Sequence, residues 1–165
     1  MNEEQYSRAN KRVLLAIVVV FGYIAATLML ALVVSQGGHA SKIMMEAVTA
    51  AAVIVISVAA YLGKRTTRTC AVIMTLSMMT GYFVIVQLNT TVGTWTYGLP
   101  LLIAAMVYLD KKIVMMTNGI ALVAIIVHLV RCFLGGGSDL RNNVIGLFVL
   151  LLTAYACNSA ERLLE

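Results

Sequence analysis

Ile43–Leu88 reads IMMEAVTAAAVIVISVAAYLG KRTTRT CAVIMTLSMMTGYFVIVQL, two long apolar runs joined by the basic turn Lys64–Thr69. An apolar stretch of about 20 residues closes its own backbone hydrogen bonds as a helix and matches the roughly 30 Å hydrocarbon core of a bilayer. A short turn carrying Lys64, Arg65 and Arg68 cannot be drawn through lipid, so the pair reads as a membrane hairpin. Outward from it the same pattern recurs. Apolar runs occupy Val13–Ser35, Ile43–Gly63, Cys70–Leu88, Trp95–Leu109, Ile113–Leu134 and Val144–Ala160, the fourth being the shortest.

Composition agrees with that reading. The chain is 61% hydrophobic and 12% charged, with a mean hydropathy of +0.95, whereas soluble domains hold about 45–50% apolar residues. The runs leave no room for a soluble catalytic domain within these 165 residues. The first run is preceded by Arg8, Lys11 and Arg12 but is too long for a signal-peptide core, and Ser35-Gln36-Gly37-Gly38 is a poor cleavage site, so it reads as a retained helix.

Loop charge sets the expected orientation. Arg8, Lys11, Arg12, Lys64, Arg65, Arg68, Lys111, Lys112 and Arg162 fall on one side, and only Lys42, Arg131 and Arg141 on the other. Nine against three places both ends of the chain in the cytoplasm by the positive-inside rule. The net charge of +5 then reflects topology and contact with anionic headgroups, not a nucleic-acid surface. The outer loops Gln36–Lys42, Asn89–Thr94 and Gly135–Asn143 are short and turn-forming, as are the inner ones at Lys64–Thr69 and Asp110–Lys112.

The expected fold is therefore an all-α integral membrane bundle of six helices, N-in and C-in, built from three antiparallel hairpins. Residues 1–12 form a cytoplasmic N-terminal segment, 13–160 the six-helix transmembrane unit and 161–165 the start of a cytoplasmic helix that is expected to continue beyond Glu165. Ala47, Ala50, Ala51, Ala52, Ser57, Ala59, Ala60 and Gly63 give the second run the densest small-residue content, which places it in the interior.

Ionisable groups inside a span are functional candidates by default. Glu46 lies about one turn inside the outer end of the second run, and His128, Arg131 and Cys132 share one helical face near the outer end of the fifth. One reading makes Glu46, His128 and Arg131 the core of an outward-facing ligand pocket, walled by Trp95, Tyr97, Tyr82 and Asn89. The other makes Glu46 and Arg131 snorkelling or paired side chains and Trp95 and Tyr97 belt aromatics. Both stay open at this point. Pro100, the sole proline, is expected to kink the fourth helix.

Other chemistries find little footing. His39 and His128 are single histidines on separate segments, too sparse for bis-His haem, and Cys70, Cys132 and Cys157 lack zinc or redox spacing, so no cofactor or metal is expected. Met44-Met45, Met78-Met79 and Met115-Met116 read as adaptable packing residues. There is no nucleophile elbow, HExxH or P-loop, and the chain does not read as an enzyme.

Three places carry a family resemblance: the opening Asn2–Arg12 (NEEQYSRANKR), the block Tyr97–Lys112 (YGLPLLIAAMVYLDKK) and the exit Asn158–Glu165 (NSAERLLE). Together they resemble the six-span membrane-embedded input regions of bacterial methyl-accepting chemotaxis proteins, chiefly those of clostridia-type bacteria. The resemblance implies a sensory module in the bacterial cytoplasmic membrane, belonging to a homodimeric parent that acts on a kinase through a cytoplasmic helical hairpin. It implies no ligand residues, and the methylation and kinase-coupling segments are outside this sequence. A small or membrane-partitioning molecule, or a bilayer property, is the expected stimulus. The rival readings are the membrane region of a histidine kinase or cyclic-nucleotide enzyme, and a small transporter or channel.

Overall fold

The computed structural model describes residues 2–34, 40–88, 94–108, 110–134 and 140–164. Every element among them is helical: α1 (Glu3–Val34), α2 (Ala40–Lys64), α3 (Arg68–Leu88), a 3-10 segment (Thr94–Tyr97) leading directly into α4 (Gly98–Met106), α5 (Lys111–Leu134) and α6 (Leu140–Leu164). Helices α1, α2, α3 and α5 are long and apolar enough to cross a membrane. The remaining apolar stretches, Trp95–Met106 and Val144–Cys157, are shorter.

Local signals explain the boundaries. Asn2 and Gln5 form a reciprocal capping box, Asn2 N donating to Gln5 Oε1 at 2.8 Å and Gln5 N to Asn2 Oδ1 at 2.9 Å. Helix α1 therefore starts ten residues before its apolar run and projects about 15 Å beyond it. Thr67 Oγ1 accepts from Cys70 N at 3.3 Å and caps α3. Asp110 Oδ1 accepts from Lys112 N at 3.0 Å and caps α5. Helix α4 ends by tightening, with Val107 N and Tyr108 N each bonding three residues back at 3.2 Å.

The interior helix is α3, not α2. In its most apolar stretch 56% of residues are buried, against 22% in α2. Helix α2 buries a single stripe, Glu46, Ala50, Val53 and Ser57, and leaves Val48, Val55 and Leu62 exposed. Small side chains do not by themselves draw a helix inward, because exposed alanine costs little where the solvent is lipid. Helix α3 packs against α2 and α5, with α1 and α4 behind it. Its Met74, Met78, Met79, Tyr82, Ile85 and Val86 interlock with Ile17 and Phe21 of α1 and Ile125 of α5. The second and fifth runs thus cover α3 more extensively than the fourth does, so the expected α3–α4 hairpin is the weakest of the three pairings. Large apolar side chains face outward on the long helices, including Leu30 and Val33 on α1, Leu62 on α2, Phe133 on α5 and Phe148 on α6. An apolar exterior around an interlocked apolar core is what lipid as solvent permits.

Candidate functional site

The helix ends carrying Lys64, Arg65, Arg68, Lys111 and Lys112 meet the N-terminal part of α1 at one end of the bundle. Asn10 Nδ2 donates to Arg65 O at 2.8 Å, and Arg68 holds Asp110 in a two-point clamp, Nε to Oδ2 at 2.7 Å and Nη2 to Oδ1 at 3.2 Å. The opposite end collects the candidate site residues.

There the structure splits them into two groups. Glu46, 5% exposed, faces inward from α2 and lies within electrostatic range of the Tyr97 phenol, as does the Tyr23 phenol on α1. Trp95, two residues earlier, turns the other way and lies on Gly146 of α6, where a Cβ would stand 2.6 Å from its indole. The 3-10 segment that carries both aromatics is held from α3: Tyr82 Oη donates to Trp95 O at 3.3 Å, and its ring fits against Gly98, where a Cβ would meet Oη at 2.8 Å. Thr94–Tyr97 therefore carries one aromatic within electrostatic range of the buried Glu46 and another against the face of α6.

His128 and Arg131 do something else. Both reach from α5 to the C-terminal turn of α3, His128 against the Val86 backbone and Arg131 donating to Gln87 O. Gln87 Nε2 returns a bond to Ala124 O at 2.9 Å. A guanidinium on the last carbonyls satisfies groups that have no partner within α3 and complements the helix dipole. His128 is buried, with Nε2 3.6 Å from Cys132 Sγ and no hydrogen-bond partner for Nδ1. The Glu46–Arg131 pair does not form; among the described residues the ion pairs are Arg8–Glu4 and Arg68–Asp110. His39 and Asn89 lie outside the described residues.

Pro100 falls in the first turn of α4, just after the 3-10 segment. A residue without an N–H is tolerated there because the first-turn amides have no intrahelical acceptor. The break in the hydrogen-bond ladder is the 3-10 to α change at Tyr97–Gly98.

The Arg68–Asp110 clamp is the polar feature that sequence reasoning overlooked. Thr67 and Asp110 each precede an apolar run, which is an N-cap signal, but nothing local pairs residues 42 apart. The Tyr6 phenol adjoins both charged groups, tying the start of α1 to the starts of α3 and α5. Burial pushes the Asp110 carboxyl up, but the Arg68 bond and charge and the Ile113 and Lys112 amides outweigh it, leaving it below its ordinary value. A carboxyl lowered on folding contributes stability above its unfolded value near 3.8, lost as pH falls through the folded one. Melting of the detergent-solubilised protein is expected to be steady from about pH 7 to 5 and to fall below about pH 4. Asp110→Asn, which still caps α5, should lose that acid-sensitive component.

No family model, curated protein or solved structure matches the chain.

Proposed function

We propose that this chain is the sensory region of a membrane signal-transducing receptor, spanning the bilayer six times with both ends in the cytoplasm. It takes up a small or membrane-partitioning stimulus at its outer end. It passes the change down α6 to a cytoplasmic output module, in a homodimeric parent of the chemotaxis-transducer kind. A histidine kinase or cyclic-nucleotide output would use the same relay.

The observation that carries this reading is the course of α6. The helix runs without a break from Leu140 to Leu164, through the apolar stretch Val144–Cys157 into the polar Asn158–Arg162. A continuous helix leaving the lipid moves as a rod, and small shifts at one end are delivered at the other. Its upper part carries the Trp95 indole on Gly146, and its middle accepts a 3.4 Å bond from Asn118 Nδ2 at Ala154 O. Glu46 lies within electrostatic range of Tyr97, and Tyr97 is two residues from the Trp95 that rests on Gly146, which gives a short route from a buried carboxyl to the rod. A stimulus acts by binding unequally to two positions of the 3-10 segment.

The test joins α6 in frame to the cytoplasmic part of a chemotaxis transducer and reads kinase activity. Trp95→Ala is expected to shift that activity several-fold, and two glycines inserted between Ala160 and Glu161 should erase the shift, since glycine breaks helical rigidity. A shift that survives the insertion, or no shift in the uninterrupted fusion, contradicts the relay.

A further inference from the structure

At the inner end of the bundle a groove of about 580 Å³ runs between α1 and the last turns of α2, lined by Arg8, Lys11, Arg12, Leu14, Leu15, Val18 and Tyr61. Its chemistry is graded along the helix axis. Arg8, Lys11, Arg12, Leu15 and Val18 lie at i, i+3, i+4, i+7 and i+10, so they share one face of α1, cations first and aliphatic side chains after. From Arg8 to Val18 the helix rises about 15 Å. Tyr61, half-buried, forms the opposite wall from α2. The Arg8 charge is already matched by Glu4, one turn earlier. Lys11 and Arg12 are exposed and, among the described residues, form no ion pair.

We infer that this groove is a binding site for one anionic phospholipid of the inner leaflet, with the phosphodiester held by Lys11 and Arg12 and an acyl chain laid along Leu15, Val18 and Tyr61. Charge complementarity fixes the sign of the headgroup, because two unmatched cations crown the groove. The apolar floor fixes the class, because a free phosphate would leave Leu14, Leu15 and Val18 uncovered while a lipid covers them. The order of the two parts along α1 fixes the direction: the chain end points toward the middle of the apolar run, as a lipid of that leaflet must. The assignment rests on the inner placement of this end of the bundle proposed above, and it adds a specific lipid to it. Basic recesses beside membrane helices on the cytoplasmic side are suited to such headgroups, each cation near the surface contributing on the order of a several-fold gain.

The full chain in mild detergent, mixed with dioleoyl phosphatidylglycerol or dioleoyl phosphatidylcholine and examined by native mass spectrometry, tests this directly. The wild type is expected to retain one phosphatidylglycerol in preference to phosphatidylcholine, with inorganic phosphate unable to displace it. Lys11→Ala with Arg12→Ala should lower that preference by about 30-fold, the factor expected for two surface cations. Leu15→Trp, which fills the floor, should reduce retention of the anionic lipid with the charges intact. Lys111→Ala with Lys112→Ala, which removes two cations from the same end but outside the groove, should leave it unchanged. Equal losses in the two double variants, displacement by phosphate, or no loss in either overturns the site. The measurement is made without a bilayer, so its failure leaves the six-span orientation standing, and a reversed orientation in cells would not alter the binding itself.

Discussion

Gly81→Ala is expected to destabilise the bundle by about 1–3 kcal/mol, the range for overpacking a close-packed core. A Cβ at Gly81 would stand 2.3 Å from Val53 Cγ2 and 3.1 Å from Phe21 Cε1, where α1, α2 and α3 converge. Both neighbours are buried, and Val53 is β-branched with little rotamer freedom in a helix, so neither yields without moving its backbone. Val53→Ala removes the colliding methyl. The double variant Gly81→Ala, Val53→Ala should therefore recover much of the loss, giving a coupling that separates the collision from any effect of alanine itself. Gly119→Ala in α5 supplies the opposite sign: nothing lies within 4 Å of its Cβ position. Relief from glycine in a helix interior should stabilise it by about 0.5–1 kcal/mol. Thermal unfolding in detergent checks all three.

Gly146→Ala should act on both stability and the relay. Its Cβ would fall 2.6 Å from one indole carbon of Trp95 and 2.7 Å from two others, against a rigid ring instead of a flexible tip. The ring must leave α6 or push it away, at a cost of about 1–3 kcal/mol. Trp95 is the sole tryptophan, so its fluorescence reports the event without labels. A shifted emission maximum is expected in Gly146→Ala and none in Gly119→Ala. In the transducer fusion Gly146→Ala should change basal kinase activity in the way Trp95→Ala does. An unshifted spectrum would mean that the indole does not rest on Gly146.

The helices were legible because lipid imposes a simple rule on sequence: long apolar runs with charge at their ends. The runs at 43–63, 70–88 and 113–134 match α2, α3 and α5 to within a few residues at each end. Helix α1 is longer than its apolar run because Asn2 and Gln5 cap it upstream of the first apolar residue. The fourth run resolves into a 3-10 segment and a nine-residue helix. Which helix lies inside was not legible. Alanine content pointed to α2, whereas the close approaches at Gly81 and Gly98 and the bulk of Tyr82 and the methionines put α3 at the centre. At the end that carries the candidate residues, position along each helix was readable from the sequence but partnership was not. Glu46 lies within electrostatic range of Tyr97, while His128 and Arg131 reach the end of α3, because which face of a helix meets which neighbour depends on packing among all six. The Arg68–Asp110 clamp was hidden for the same reason, joining two charged turns that nothing in the local sequence pairs.

Orientation is the premise on which both the relay and the inner-leaflet assignment of the lipid stand. With Cys70, Cys132 and Cys157 replaced by alanine, single cysteines at Lys42 and at Lys111 can be probed in intact cells with a membrane-impermeant maleimide. The account predicts modification at position 42 without permeabilisation, and at position 111 only after the membrane is opened. Modification at position 111 in intact cells, with position 42 protected, would contradict it.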